Sequence, residues 1–253
     1  VSLATGGVTI STGATAGDIS FAQTLNGGQT LSLTAGTGNI GFTGIVGGTT
    51  PLGAVTINAA NNVTTSGAFS AASVNQATSG TGTTQIGGLL TTTGAVKLDA
   101  ATVDLNDSIV SNGGLVTLNA STLVDLATGK TITTTAAADS GTISGAIDIN
   151  VSGTGVVTLG GDLVTTGATH ATLTGSAGGA VTIDANDGTI AVANITTSGG
   201  AAAGGGQTGG AAGTLAINTG TNNIITLNAS TLTGAGGAGA TQGAGATISF
   251  GDP

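Results

Sequence analysis

Short runs in which apolar and polar residues alternate recur along the whole chain, and glycine separates most of them. One run has a small or apolar residue, Val-Thr-Ile or Val-Thr-Leu, an Asn or Asp, and an Ala. It occurs at 54–59, 115–120 and 180–185, at 95–100 with Lys in place of Thr, and at 224–229 with Ile in place of Val; weaker copies lie at 30–33, 156–159 and 214–217. Alternation with period two is typical of a β-strand with one buried face. We therefore expect the aliphatic residues to face a core and the Thr, Asn and Asp residues to form outward rows.

A second run, an aliphatic residue followed by Thr-Thr and a nearby Gly, occurs at 63–67, 90–94, 164–167 and 195–199. Asn58 and Asp99 hold the same place in the first run 41 positions apart, and Asp99 and Asn119 do so 20 positions apart. A period of about 20 residues predicts an all-β fold, a parallel β-helix or β-solenoid in which some coils carry insertions. Residues 1–253 would form one such domain of about 12 coils, a rod about 60 Å long.

Two glycine-rich tracts, 199–213 and 234–246, interrupt the repeat. Each follows one strand-like run and precedes another, so both are predicted to be loops that leave a similar corner of two nearby coils. Long loops in a compact fold are usually either functional or disordered. The sequence leaves two alternatives: flexible excursions, or ordered protrusions that pack on a neighbouring molecule.

Composition narrows the range of functions. The chain has 49 Gly, 11 acidic residues, all Asp, two Lys and one His, no Cys, and a net charge of −9. Two cations cannot follow a phosphate backbone, which excludes nucleic acid as a partner. Zinc and iron–sulfur sites need Cys or His clusters that the chain lacks. No apolar run approaches the roughly 18 residues of a membrane span, so no membrane insertion is expected.

At the residues of these two runs the chain resembles the repeats of filamentous-haemagglutinin-like adhesins. These are large secreted β-helical proteins of Gram-negative bacteria, exported by two-partner secretion or autotransport. The resemblance covers about Val8 to Phe250 and rests on low-complexity repeats typical of the shaft; no counterpart of the N-terminal secretion domain is present. It implies a right-handed parallel β-helix at the cell surface that serves adhesion or builds a filament.

Asp residues cluster at two places, Asp104 with Asp107 and Asp184 with Asp187. Neither cluster completes an EF-hand loop or a calcium-binding nonapeptide. We interpret them as turn-capping residues at coil corners, with weak calcium binding at stacked corners as the alternative. Either pair could also supply the two carboxylates of a polysaccharide hydrolase, a class that uses β-helices. The near absence of aromatic and cationic residues argues against that class.

Three other polar residues are candidate sites. His170 is the one side chain expected to titrate near neutrality, and we interpret it as a surface residue at a coil corner. Lys97 replaces an outward Thr and is expected to be solvated. Lys130 follows Gly129, but Asp125 stands where a phosphate-binding loop requires glycine.

These observations predict a non-catalytic extracellular structural protein with no catalytic, cofactor or metal site. It would form a filament, sheath or adhesin stalk, with other copies of itself as partners and head-to-tail stacking of solenoid ends as one route. The alternative is a surface adhesin module that binds glycans or neighbouring cells through its loops. The Thr rows also raise an ice-binding face, although their irregular spacing argues against it.

Overall fold

The computed structural model describes residues 1–77, 81–220, 223–228 and 230–251. These residues form 23 β-strands in one continuous sheet whose strand pairings are parallel. The described part of the chain contains no helix that could cross a membrane. The predicted all-β, parallel β-solenoid fold is confirmed.

The strands are β1 (Val8–Ser11), β2 (Ile19–Phe21), β3 (Leu31–Thr34), β4 (Ile40–Phe42), β5 (Leu52–Ala59), β6 (Val63–Thr65), β7 (Phe69–Gln76), β8 (Thr83–Ile86), β9 (Leu90–Thr92), β10 (Val96–Leu105), β11 (Ile109–Val110), β12 (Val116–Leu126), β13 (Thr131–Thr133), β14 (Ile147–Val151), β15 (Val156–Leu159), β16 (Asp162–Val164), β17 (Val181–Asp184), β18 (Ile190–Val192), β19 (Ile195–Thr196), β20 (Leu215–Asn218), β21 (Ile225–Leu227), β22 (Leu232–Thr233) and β23 (Ile248–Gly251).

They form three ladders along the long axis, which the chain visits in the same order in each coil. The first ladder contains β1, β3, β5, the end of β7, the beginnings of β10 and β12, and β14, β17, β20 and β23. The second contains β2, β4, β6, β8, the ends of β10 and β12, and β15, β18 and β21. The third contains the beginning of β7 and then β9, β11, β13, β16, β19 and β22.

Coil length changes along the chain. Equivalent positions of the first ladder are Val8, Leu31, Val55, Val74, Val96, Val116, Ile147, Val181, Leu215 and Ile248. Coils up to Val116 hold 19 to 24 residues, close to the predicted period, whereas later coils hold 31 to 34. Ten strands at a spacing of about 4.8 Å span about 43 Å, so the expected 12 coils and 60 Å were wrong. The missing coils are accounted for by longer loops.

The recurring sequence runs do not all occupy the same ladder. The runs at 54–59, 95–100, 115–120 and 180–185 lie in the first ladder. The run that begins at Ile224 lies in the second ladder, where Ile225 is in register with Ile190, and its Ala229 lies outside the described residues. The weaker copy at 156–159 also lies in the second ladder. Both ladders need aliphatic residues at alternate positions, so the run alone does not specify the ladder.

Inward aliphatic side chains of the three ladders form one continuous core. In β12, for example, Val116, Leu118, Val124 and Leu126 are all at most 1% exposed, while the residues between Val116 and Leu118 and between Val124 and Leu126 face outward. Each coil therefore buries its apolar face on the coils above and below, as in other solenoids.

The Thr-Thr-Gly run has a structural role at the corner between the third and first ladders. Buried hydroxyl residues occupy equivalent positions there: Thr92, Ser111, Thr134, Thr165 and Thr197. At the first four of these positions the hydroxyl donates to the carbonyl of the glycine that precedes the first ladder, as in Thr165 to Gly179 at 2.6 Å. Gly179 in turn donates its N–H to the Thr165 carbonyl at 2.8 Å. The buried hydroxyl and the backbone N–H and carbonyl groups of the glycine thus all have hydrogen-bond partners inside the protein.

The same corner requires glycine because the coils approach closely. Gly94, Gly114, Gly145, Gly179 and Gly213 stack on one another, and a Cβ added to any of the last four would lie well inside 3.0 Å of the preceding glycine's carbonyl group. No side-chain rotation can relieve a contact between a Cβ and a backbone. Glycine here permits close approach of backbones, independent of any unusual φ angle.

Four loops leave this corner on successive long coils and stack into a second body, which we call the lobe: residues 134–145, 165–179, 197–213 and 234–246. Between loops, donors lie three residues apart; Gly199 and Ala202 donate to Ala235 and Ala238 of the next loop at 2.9 and 2.7 Å. Each loop has an outgoing and a returning segment, which we call its two legs. Backbone hydrogen bonds join the legs at the same interval: Gly213 donates to Thr197, and Gly210 donates to Gly200. A period of three is typical of the polyproline II conformation.

Both glycine-rich tracts are parts of this lobe and are ordered by stacking inside the chain itself. A Cβ on Gly199, Gly209, Gly210 or Gly237 would lie well inside 3.0 Å of a carbonyl oxygen of a neighbouring leg or loop. The tracts are therefore rich in glycine because the legs are in close backbone contact. The tracts therefore form an ordered protrusion and not a flexible excursion, and their packing on a neighbouring molecule stays a prediction.

Candidate functional site

An open groove follows the corner between the first and second ladders across several coils. It has a volume of about 790 Å³ and is lined by the polar side chains of Asp99, Asn119, Asn150, Asp184 and Asn186 and by small residues between them. Strands β10 and β12 run through this corner without a break, with a register shift between Ala100 and Thr102. Small residues at the bend keep the groove open.

A row of Asp and Asn side chains, one from each of five successive coils, runs along this corner: Asp99, Asn119, Asn150, Asp184 and Asn218. The first four line the groove. Asn119 Nδ2 donates to Asp99 Oδ1 at 2.5 Å, and Asn150 Nδ2 donates to Asn119 Oδ1 at 3.1 Å. Lys97 Nζ lies 2.6 Å from Asp99 Oδ2, so the lysine predicted to be solvated is paired, with 41% of its side chain exposed. The outward row expected from the repeat is present and hydrogen-bonded along the axis.

The spacing in this row favours binding over hydrolysis. Asp99 and Asp184 are three coils apart in register, a separation of about 14 Å at about 4.8 Å per coil. Glycoside hydrolysis needs two carboxyl groups about 5 to 9.5 Å apart. The groove can offer hydrogen bonds to a polar molecule lying along the rod, but these two carboxylates cannot act together on one glycosidic bond.

The predicted cluster of Asp104 and Asp107 is divided between different neighbours. Asp104 Oδ2 accepts hydrogen bonds from Gln85 Nε2 at 2.8 Å and Asn106 Nδ2 at 3.0 Å. Asp107 Oδ1 accepts the Ser108 N–H at 2.8 Å and Lys130 Nζ at 3.0 Å. The Ser108 hydrogen bond, and then Lys130, lower the pKa of the Asp107 carboxyl. An acid held ionised in this way is poorly suited to donate a proton.

Asp125 is a partner of Asp104 that the sequence reading missed. The two are in register on adjacent coils, and burial, reinforced by the charge of Asp104, raises the pKa of the Asp125 carboxyl. A signal was available, because Val103-Asp104-Leu105 is repeated as Val124-Asp125-Leu126 at nearly the distance of one coil.

The Asp125→Asn variant is expected to be more stable than wild type at pH 7, by about 0.5 kcal/mol. It removes the cost of partly burying the carboxylate and also the repulsion from Asp104 on the adjacent strand. A raised pKa means that the folded state binds the proton more tightly than the unfolded chain. Wild type therefore regains stability as the pH falls, and the difference should vanish near pH 3. Urea unfolding at both pH values measures it.

The Asp104→Asn/Asp125→Asn double variant completes a cycle that isolates the pairwise repulsion. Equal stability of wild type and Asp125→Asn at pH 7 would show that the two carboxylates do not interact.

The second predicted cluster forms a turn. Asp184 Oδ1 accepts the backbone N–H of Asn186 at 2.9 Å, and Asn186 has a φ of 34°. This is the geometry of a side-chain-capped turn, which Asp and Asn both favour. Within the described ranges, no group of three or more His, Cys, Asp or Glu residues could hold a metal ion. Calcium binding at these corners stays a prediction.

His170 is buried, so its interpretation as a surface residue was wrong. It is 1% exposed, inside the lobe, and its Nε2 lies 2.7 Å from Ser176 Oγ. The loop 134–145, which belongs to the coil below, packs against His170 and brings Asp139 Oδ1 within 3.6 Å of its Nδ1. Sequence reasoning missed these contacts because the three residues come from two coils whose loops meet only when they stack.

The coil that ends with β23 leaves its core positions uncovered. Leu227, Ile248 and Phe250 are 46%, 40% and 49% exposed, although the equivalent residues one coil below, Val192, Leu215 and Ile217, are at most 2% exposed. The β23 edge is the pairing surface for one more coil.

Comparison with known proteins gives no relative: the chain matches no protein-family model, and no curated protein and no solved structure is significantly similar to it.

Proposed function

We propose that this chain is a non-catalytic structural protein of the cell exterior, a segment of a filament, sheath or adhesin stalk. The observation that carries the proposal is the uncovered coil, in which Leu227, Ile248 and Phe250 continue the core columns up to an open end. A further coil with the same three ladders would bury them and pair β23. Either a continuation of the same polypeptide or another copy of the chain can supply that coil, and head-to-tail contacts between copies extend into fibres.

Composition and surface support the same role. With net charge −9 spread over few residues and both lysines paired with Asp, the outer rows are largely uncharged hydroxyls and amides. Rows that are neutral over most of their length allow stacking in register with little charge repulsion between coils, and Asp104 opposite Asp125 is an exception. An extracellular location agrees with the lack of cysteine in a protein stabilised entirely by stacking.

The groove supports a second candidate, a surface adhesin module that binds glycans. Its row of Asp and Asn side chains repeats at about 4.8 Å, so a polar polymer lying along the groove would meet one hydrogen-bonding side chain per coil. This candidate places the ligand in the groove and not on the lobe, whose surface consists mainly of Gly and Ala. Loss of glycan retention in Asn150→Ala, with Asn194→Ala as a control outside the groove, would favour it.

Electron microscopy of negatively stained protein over a concentration series tests the main proposal. Wild type is expected to form fibres of uniform width, because end-to-end contact buries the open core. The Ile248→Asp/Phe250→Asp variant should remain as rods about 43 Å long. Leu173→Asp, at a 52% exposed position in the lobe, is the control and should still form fibres. Discrete wild-type rods at every concentration would contradict self-stacking.

A further inference from the structure

The lobe contains two ionisable side chains, and they face each other. Asp139 and His170 are the sole Asp, Lys or His residues in the sequence of the four loops 134–145, 165–179, 197–213 and 234–246. Their Oδ1 and Nδ1 atoms are 3.6 Å apart, with the His170 side chain 2% exposed and that of Asp139 56% exposed. The loops packed around His170 therefore present one charge to it, the Asp139 carboxylate.

Hydrogen bonds fix the protonation of the neutral ring. The Ser176 hydroxyl donates to the Thr142 carbonyl at 3.0 Å, because a carbonyl can only accept. The single hydroxyl proton of Ser176 is engaged in that bond, so Ser176 Oγ can only accept from His170. The contact of 2.7 Å between His170 Nε2 and Ser176 Oγ therefore requires Nε2 to carry the hydrogen. This is the reverse of a Ser-His-Asp nucleophile, in which serine donates to histidine. Ser176 is also 8% exposed, which leaves little access to a substrate.

In this state the other ring nitrogen has no partner. His170 Nδ1 is buried and makes no hydrogen bond, and its lone pair faces the Asp139 carboxylate. A buried polar atom without a partner destabilises the fold, and facing a negative charge adds to that cost. A proton on Nδ1 turns the unfavourable contact into a charge-assisted pair.

We infer that His170 is an acid-operated latch that fastens the stacked loops of the lobe. Its imidazolium would join Asp139 on the loop below through Nδ1 and keep the Ser176–Thr142 link through Nε2. The His170 backbone already donates to Ala201 of the loop above at 2.9 Å and accepts from Ala203 at 2.8 Å. Protonation of one side chain therefore tightens three successive loops.

The direction of the pH effect follows from the geometry of the pair. The folded lobe holds a carboxylate 3.6 Å from Nδ1, and the unfolded chain does not. Nδ1 can donate to Asp139 only when it carries a proton, so the latch is fastened in acid and open in base. Acidification from pH 7.5 to 5.5 should tighten the lobe and leave the three ladders unchanged.

NMR of ¹⁵N-labelled protein tests the latch directly, since the chain has one histidine. Long-range proton–nitrogen correlation at pH 7.5 should show the hydrogen on Nε2. Between pH 7.5 and 5.5, hydrogen-exchange protection factors of the Ala171 and Ala203 amides should rise about tenfold, the low end of the range for a hydrogen bond to a charged group. Amides of β12 should keep constant protection factors.

Two variants separate the latch from a merely structural role. Asp139→Asn keeps the carbonyl oxygen that accepts the Ala171 N–H at 2.8 Å and removes the charge, so the acid-induced gain should disappear. Asp18→Asn, outside the lobe, should keep it. A hydrogen on Nδ1 at pH 7.5, equal protection at both pH values, or a full gain in Asp139→Asn would overturn the inference; the fibre experiment does not depend on this result.

Discussion

Gly179→Ala should lower the free energy of unfolding by about 3 kcal/mol, the upper range for overpacking, or prevent folding. The added Cβ would lie well inside 3.0 Å of the Gly145 carbonyl, backbone against backbone, and it would also approach Ser144 O closely. Relief requires two coils to separate, which disturbs the pairing of β14 with β17 just beyond the corner. Guanidinium unfolding followed by far-UV circular dichroism measures the loss.

Gly41→Ala is the matched control. Gly41 lies in β4, its φ is not positive, and a Cβ there would have no heavy atom within 4 Å. Its replacement should leave stability unchanged or raise it by up to about 1 kcal/mol through the entropy of the unfolded chain. Similar effects of the two substitutions would show that close backbone approach does not explain the glycine column.

Phe42→Ala should cost about 3 to 5 kcal/mol, as expected for removal of a fully buried aromatic residue. Phe42 is 1% exposed; its ring stacks on Phe21 with centroids 5.0 Å apart and meets the edge of Phe69 at 5.2 Å. The rings come from three successive coils and two ladders, so no neighbour can fill the space. The same unfolding assay measures the change.

Phe250→Ala tests whether burial causes this effect. Phe250 is 49% exposed on the uncovered coil, and its removal from unassembled protein should cost less than about 1.5 kcal/mol. If both substitutions were equally costly, the end of the rod would be as well packed as its interior, and the open end invoked for filament growth would not exist.

Local pattern predicted the strands well because each ladder imposes the same demand on the sequence. The runs at 54–59 and 115–120 needed only alternation and a bounding glycine to be identified. The outward Asn119 lies in the expected row, whereas Asn58 lies where the register between β3 and β5 shifts. The same uniformity explains the errors. Residues 225–227 satisfy the alternation of either ladder, and register with β18, a long-range property, places them in the second.

Contacts between coils decided the positions of the polar residues. Gln76 lies in the core column between Ile57 and Leu98, 1% exposed, and accepts a hydrogen bond at 2.8 Å from Thr84, a buried residue of the second ladder. Nothing in Ser73-Val74-Asn75-Gln76 distinguishes it from a surface residue. Likewise, Asp125 is significant only because its coil places it above Asp104.

The sequence by itself determined the fold class, the period of the first coils and the outward rows, because alternation and glycine spacing are local properties of the chain. The tertiary structure decided the number of coils, the ordered conformation of the glycine-rich tracts and the burial of His170. Each of these depends on what lies one coil away, 19 to 34 residues distant in sequence. The stacking that joins Asp139 to His170 and leaves Phe250 uncovered arises only when the coils lie on one another.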